Sequence, residues 1–227
     1  VVELSTNGYY NIMLGKISST LGFAPDFGQN TFQNKASTFD IDETNKSLKR
    51  YSKNWFDLSS IAKGYAVQEI HNYLISNNLM NHVIDIGGEI IINGNKDGIP
   101  WNIGIQNPLS SVDNAATTIS NKNNNFLAIA TSGEYRNFKL DEYGNKVTHT
   151  INPKTLSSIK NKILSVTVVN DYSATYADAY ATGFNAMGLD RAIEIANNEN
   201  IAIMVIYQND ETVDIIYSDK WYDFFDE

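Results

Sequence analysis

The stretch that decides the fold runs His82-Val-Ile-Asp-Ile-Gly-Gly-Glu-Ile-Ile-Ile-Asn-Gly94. Two strand-length apolar runs, residues 82–86 and 89–92, flank the pair Gly87-Gly88, and Asn93-Gly94 is a strong turn dipeptide. Outward from it, strand signals are short and frequent. Residues 101–106, 126–131 and 135–140 alternate or run apolar as strands do. A turn at Tyr143-Gly144-Asn145 precedes another strand leading to His149, and residues 163–169, 201–207 and 213–217 complete the set. Helix signals are fewer. In residues 61–77, Ala62, Ala66, Ile70 and Leu74 recur every four positions, with Ser59 or Ser60 placed to cap the first turn. A second helix is expected over residues 175–187, with Ala177, Ala181 and Phe184 on its stripe and Gly188 at its end. A third is expected over residues 190–197. Residues 107–125, crowded with Ser, Asn and Thr, read as a loop that is either a surface excursion or a soft boundary. Strands and helices mix without strict alternation, which predicts an α+β fold rather than a doubly wound sheet.

Composition narrows the functions available. The chain has 227 residues, 42% hydrophobic and 11% aromatic, enough for a substantial core in one domain. Its net charge of −9 argues against nucleic-acid binding, which needs a basic patch. An acidic protein that handles phosphates needs a metal ion or helix N-termini to offset repulsion. Cysteine is absent, so disulfides, thiolate zinc sites and cysteine nucleophiles are excluded. No apolar run approaches the roughly 20 residues that cross a bilayer.

Three stretches carry candidate chemistry. In Asp57-Leu-Ser-Ser-Ile-Ala-Lys-Gly-Tyr65, small residues precede a helix and are followed by Lys63 and Gly64, an arrangement that suits an anion. The ordinary reading is an N-capped helix with a surface lysine. The order of Gly, Lys and Ser excludes a P-loop. Ser60-Ile61-Ala62-Lys63 also matches the S-x-x-K of penicillin-binding proteins, but S-D-N and K-T-G are missing, Lys154-Thr155 being followed by Leu156. In Tyr176 to Gly188, Asp178 and Thr182 lie four apart on one helix face. One carboxylate and one hydroxyl, with phosphate and water oxygens, suit Mg²⁺. Thr175-x-x-Asp178 is equally a capping-box pattern. The third stretch pairs Thr131-Ser-Gly-Glu-Tyr-Arg-Asn-Phe138, with Arg136 near its hydroxyls, with Thr148-His-Thr-Ile-Asn-Pro-Lys-Thr155. There His149 stands at a strand end before an Asn-Pro turn. His71 in mid-helix and His82 at a strand start receive no role.

Taken in order, these pieces resemble the ApbE family of magnesium-dependent FAD:protein FMN transferases. Residues 57–67 resemble its D-L-[SG]-[SG]-I-A-K-G-Y-A element, and residues 83–90 its apolar strand followed by Gly-Gly. Residues 101–108 resemble W-x-I-G-I-x-x-P, residues 130–138 A-T-S-G-x-Y-R-N, and residues 149–155 H-x-I-D-P-x-T-G. Residues 165–188 resemble the family's strand and A-D-A-x-A-T helix. Residues 7–23 resemble a T-x-G-x-F-D segment that lies well inside family members, so the expectation is one ApbE-like domain over residues 1–227 lacking the usual N-terminal portion. The sequence departs from the pattern at Tyr10-Asn11 (Phe-Asp), Asn152 (Asp) and Leu156 (Gly).

The resemblance implies an ApbE-like, T-fold-related architecture of largely antiparallel sheets packed against a few helices. It implies Mg²⁺ held by Asp178, Thr182 and the backbone carbonyl of Ala62. FAD, the substrate, would lie against Tyr9, Tyr10 and Asn11, with Ser59, Tyr65, Gly87, Gly88 and Ile151 adding contacts. A Thr or Ser hydroxyl of an acceptor protein would take FMN and release AMP, with His149 as base and Lys63 neutralising phosphate. An FAD pyrophosphatase yielding FMN and AMP, and a non-catalytic flavin-binding relative, are the alternatives. Family members further imply an acceptor flavoprotein subunit in a membrane redox complex, and an extracytoplasmic location with a lipid anchor on the full-length protein.

Overall fold

Gly87 and Gly88 both take positive φ, +64° and +100°, and between them the chain reverses so that Ile86 pairs with Glu89. A two-residue turn with positive φ at both positions matches the right-handed twist of its flanking strands, and glycine adopts it without strain. The computed structural model describes residues 1–25, 39–51, 54–109, 114–122, 125–134, 138–210 and 212–225. This hairpin, β1 (His82–Ile86) and β2 (Glu89–Asn93), forms one edge of a six-stranded sheet. The sheet continues through β3 (Leu127–Gly133), β4 (Ile163–Asn170), β5 (Ala202–Asn209) and β6 (Thr212–Tyr217). Its spatial order is β6-β5-β4-β3-β2-β1, which is the order in the chain, and every neighbouring pair is antiparallel.

Both faces of the sheet are covered. On β5, Ile203 and Val205 join the core shared with the helices, while Ala202, Met204 and Ile206 point into a second core on the other side. The same division places Ala128 and Ala130 of β3 with the helices and Leu127 and Ile129 opposite. That is the period-two alternation of a pleated strand. Burial on both sides explains why residues 201–206 read as an unbroken apolar run rather than an alternating one. Ile105, Ile119 and Trp221 pack into the second core; the first two come from a hairpin of Asn102–Gln106 with Ala115–Ser120.

The helical layer consists of α1 (Ala62–Ser76), α2 (Ala174–Met187) and α3 (Leu189–Asn198). Helix α2 lies between α1 and strands β3 and β4, and it is buried almost all round. Its small residues allow this. Gly183 leaves room for Thr6 and Tyr10, whose side chains would lie 3.1 and 3.2 Å from an added Cβ. Gly188, with φ +87°, ends the helix as its sequence position predicts.

Several expectations change. Neither Ser59 nor Ser60 caps α1; Ile61 occupies the cap position with no side-chain bond, and the Ser59 amide instead donates to Asp57 Oδ1 at 3.0 Å. The cap of α2 is Ser173, whose Oγ accepts from the Tyr176 amide, so Thr175-x-x-Asp178 is not a capping box. Residues 107–125 are not all loop, since Ala115–Ser120 is a strand; residues 110–113 and 123–124 lie outside the described residues. The strand expected at residues 135–140 is described over Phe138–Leu140, paired with Lys146–Thr148. The hairpin of Phe39–Asp42 with Ser47–Arg50, the short helices Val2–Ser5 and Gly15–Thr20, and the 3₁₀ turn Asp219–Asp223 were not legible as periodic patterns. Among the described residues no helix is long and apolar enough to cross a membrane.

Candidate functional site

Where the N-terminus of α1, the middle of α2, the β1–β2 turn and the end of β3 meet, they enclose an open cavity of about 420 Å³. Helix α1 and the loop before it contribute Asp57, Ser59, Ser60 and Lys63; helix α2 contributes Asp178 and Thr182. The turn contributes Gly87, Gly88 and Glu89, and β3 contributes Thr131, Ser132 and Gly133. Tyr9, Tyr10, Asn11 and Leu14 close one side, with His149, Thr150 and Ile151 on another. Segments spread across the whole chain thus converge on one volume. Ala62 and Tyr65 are not brought into the lining; both are exposed, Ala62 opening α1 beside Lys63. Arg136 lies outside the described residues.

Asp178 is nearly buried, and its Oδ2 accepts the Gly64 amide at 2.8 Å. Burial pushes its carboxyl above the usual range, against the lowering effects of the Gly64 hydrogen bond and the Lys63 ammonium. Thr182 follows one turn later on the same helix and lines the same cavity. One helical turn further still, Asn185 ties α2 to the end of β3. Its Nδ2 donates to Glu134 Oε1 at 2.8 Å and to Ser132 Oγ at 3.1 Å.

Glu89, only 2% exposed, is ion-paired with Lys63. Burial raises its pKa to about 7; the Lys63 hydrogen bond opposes the shift and the Asp178 charge adds to it. Two buried carboxylates in one cavity are costly unless compensated, and one lysine compensates only one of them. A bound cation would offset the burial cost of the charged forms, which raises both carboxyl pKa values. Among the described residues no group of three or more His, Cys, Asp or Glu gathers as for a zinc-type centre. The available donor set is therefore the Asp178 carboxylate and the Thr182 hydroxyl, completed by ligand and water oxygens, and this suits Mg²⁺.

Sequence reasoning missed Glu89 as a site residue. The signal was present: an acid opening the otherwise apolar strand Glu89-Ile-Ile-Ile, directly after Gly-Gly. Acids are almost never fully buried unless paired, so a glutamate at such a position asks for a partner. The departures from the family pattern have structural readings. Asn11 Oδ1 accepts the Met13 amide at 2.7 Å, and Asn152 Oδ1 accepts the Lys154 amide at 2.8 Å. Each asparagine therefore keeps the side-chain oxygen that an aspartate would offer the turn. Leu156 differs: it holds φ +54°, where a leucine is strained and glycine is not. His149 sits half-buried on the cavity wall, edge-on to Phe23 with ring centroids 6.2 Å apart.

The fold and the cavity define an α+β domain with an open cavity lined by carboxylate, hydroxyl and backbone groups beside a two-glycine turn. The ApbE family model matches residues 2–205, and the chain belongs to this family. It is 39% identical over 170 residues to an FAD:protein FMN transferase of Vibrio cholerae, covering 74% of this chain and 49% of that protein. It is 33% identical over 220 residues to the FAD:protein FMN transferase of Haemophilus influenzae, covering 90% and 62% respectively. The chain thus spans between about half and two thirds of the length of these relatives. Among solved structures, the flavin transferase ApbE from Vibrio cholerae superposes with a TM-score of 0.80 at 28% identity, over 99% of this chain and 73% of that one. The apbe protein from Thermotoga maritima, at 24% identity, shares the fold with a TM-score of 0.83, over 100% and 75%.

Proposed function

We propose that this chain transfers FMN from FAD to a Thr or Ser hydroxyl of a partner protein, with release of AMP. The observation that carries the reading is the convergence of Asp178, Thr182, His149, Lys63 and the Gly87-Gly88 turn, from four separate segments, on one cavity. The transferase names of the relatives point the same way. In this reading the acceptor hydroxyl gives its proton to His149 and its oxygen attacks the FMN-side phosphorus. The bond from that phosphorus to the bridging oxygen breaks, and AMP leaves with the bridging oxygen. Such a reaction asks a protein for positioning and charge neutralisation above all. Tyr9, Tyr10 and Asn11 on one wall and Ile151 on another offer surfaces for the isoalloxazine ring. The Gly87-Gly88 turn and Ser59, Ser60 and Lys63 at the start of α1 would line the pyrophosphate part of the cavity. Asp178 and Thr182, with phosphate and water oxygens, would hold Mg²⁺, which supplies Lewis-acid stabilisation of phosphate charge when bound.

The same reading, supported by family resemblance, extends to an extracytoplasmic protein, lipid-anchored at full length, that serves a flavoprotein subunit of a membrane redox complex. Titration with FAD, with and without Mg²⁺, followed by chromatography of the nucleotides, tests it. Mg²⁺-dependent release of AMP, with FMN retained on a Thr- or Ser-containing acceptor, supports the transferase. Free FMN in equal amount with acceptor present identifies a pyrophosphatase instead, and absence of FAD binding under both conditions overturns both.

A further inference from the structure

Lys63 spends its charge inside the protein before any ligand arrives. Its side chain leaves the first turn of α1 and passes the β1–β2 turn, its Cδ lying 3.7 Å from where a Cβ on Gly87 would sit. The ammonium then ends on the Glu89 carboxylate. The two partners are unequally exposed: 44% for the Lys63 side chain and 2% for that of Glu89. Both line the cavity. A ligand entering the cavity therefore meets chiefly the lysine, and it meets a lysine already paired.

A ligand phosphate has to share or displace that pairing. A cation held by a buried carboxylate has satisfied part of its charge. Its attraction for a second anion is correspondingly reduced, by an amount that solvent at the 44% exposed lysine moderates.

We propose that Glu89 is the affinity-setting residue of this cavity: its carboxylate is the resident counter-ion of Lys63, and an incoming phosphate competes with it for the ammonium. The proposal deepens the reading of the cavity as a pyrophosphate-ligand site and rests on it. Glu89 touches no reacting atom and acts through Lys63, as a positioning residue.

Calorimetric titration with inorganic pyrophosphate in EDTA isolates the effect from any metal. Four proteins are compared: wild type, Glu89→Gln, Lys63→Met and the double variant. Glu89→Gln is expected to bind pyrophosphate about tenfold tighter, the scale of one charge-assisted hydrogen bond regained by the ligand. Lys63→Met is expected to bind more weakly than wild type, and the double variant to match Lys63→Met, because Glu89 acts only through the lysine. Glu89→Asp, which draws the carboxylate back by one methylene, should shift affinity in the same direction as Glu89→Gln by less, and it serves if Glu89→Gln does not fold. Unchanged or weaker binding in Glu89→Gln, a gain that persists without Lys63, or no pyrophosphate binding in any variant overturns the proposal. A parallel FAD titration separates the two readings. Wild type that binds pyrophosphate but not FAD counts against the flavin assignment alone, and wild type that binds FAD while Glu89→Gln leaves pyrophosphate affinity unchanged counts against Glu89 alone.

Discussion

Gly64 donates its backbone amide to Asp178 Oδ2 at 2.8 Å, joining helices whose residues lie 114 positions apart. The contact requires glycine. A Cβ on Gly64 would stand 2.4 Å from the Ala174 carbonyl oxygen and 2.6 Å from Asp178 Cβ, both fixed parts of α2. The Lys-Gly pair that looks like an anion motif is therefore also the point where α1 closes on the metal-ligand candidate.

Gly64→Ala should accordingly harm both stability and site. Overpacking a rigid contact costs about 1–3 kcal/mol, and relief by separation of the helices moves Asp178 away from Lys63 and the start of α1. Urea denaturation should show a loss in that range, and FAD turnover should fall by more than the loss of folded protein explains. Wild-type stability in this variant would contradict the packing described.

Asp178→Asn should dissociate stability from function. Burial disfavours the charged carboxyl, so a neutral isostere that can still accept the Gly64 amide leaves the melting temperature equal or higher. Mg²⁺-dependent AMP release should fall by at least about a hundredfold, the scale lost when charge stabilisation is removed from a transition state. Retained metal-dependent turnover would remove Asp178 from the metal site.

Glu89 should make stability depend on pH. Its folded pKa of about 7 lies above the ordinary 4.5, so the folded state binds its proton more tightly than the unfolded state does. The resulting stabilisation is fully present below pH 4.5 and is lost as pH rises to about 7. A shift of this size corresponds to about 3 kcal/mol. Denaturation curves of wild type and Glu89→Gln at pH 5 and pH 8 should diverge, with wild type losing more stability across the interval. Parallel behaviour would show that Glu89 is ionised throughout.

Leu156→Gly should stabilise the protein. Leu156 holds φ +54°, in the left-handed region that costs a side chain with a Cβ about 1–2 kcal/mol. Set against the added unfolded-state freedom of glycine, the expected gain is roughly 0.5–1 kcal/mol in denaturant unfolding. A loss would mean that the leucine side chain contributes packing that outweighs the strain.

Much of the architecture was legible locally. The runs at His82–Ile86 and Ile163–Asn170, the helix ending at Gly188 and the Gly-Gly turn are set by neighbours a few residues apart, so periodicity and turn chemistry reveal them. The α+β class follows from their order. Asp178 and Thr182 were readable as a pair because one helical turn separates them.

The choice of helix caps and the partners distant in sequence were another matter. Ser59 looks like a helix cap until Asp57 accepts its amide, and Thr175 looks like a cap until Ser173 takes that role. An acid opening an apolar strand hints that Glu89 needs a partner, but nothing local says that Lys63 will end on it or that Gly64 must be bare for Asp178 to approach. Those relationships arise where α1, α2 and the β1–β2 turn pack together. The sequence alone specified which segments form helix, strand and turn and which groups are available for chemistry, because those depend on short-range backbone preference. Tertiary packing decided which carboxylates lose their water and which charges must then neutralise one another, because desolvation depends on everything that closes around a group.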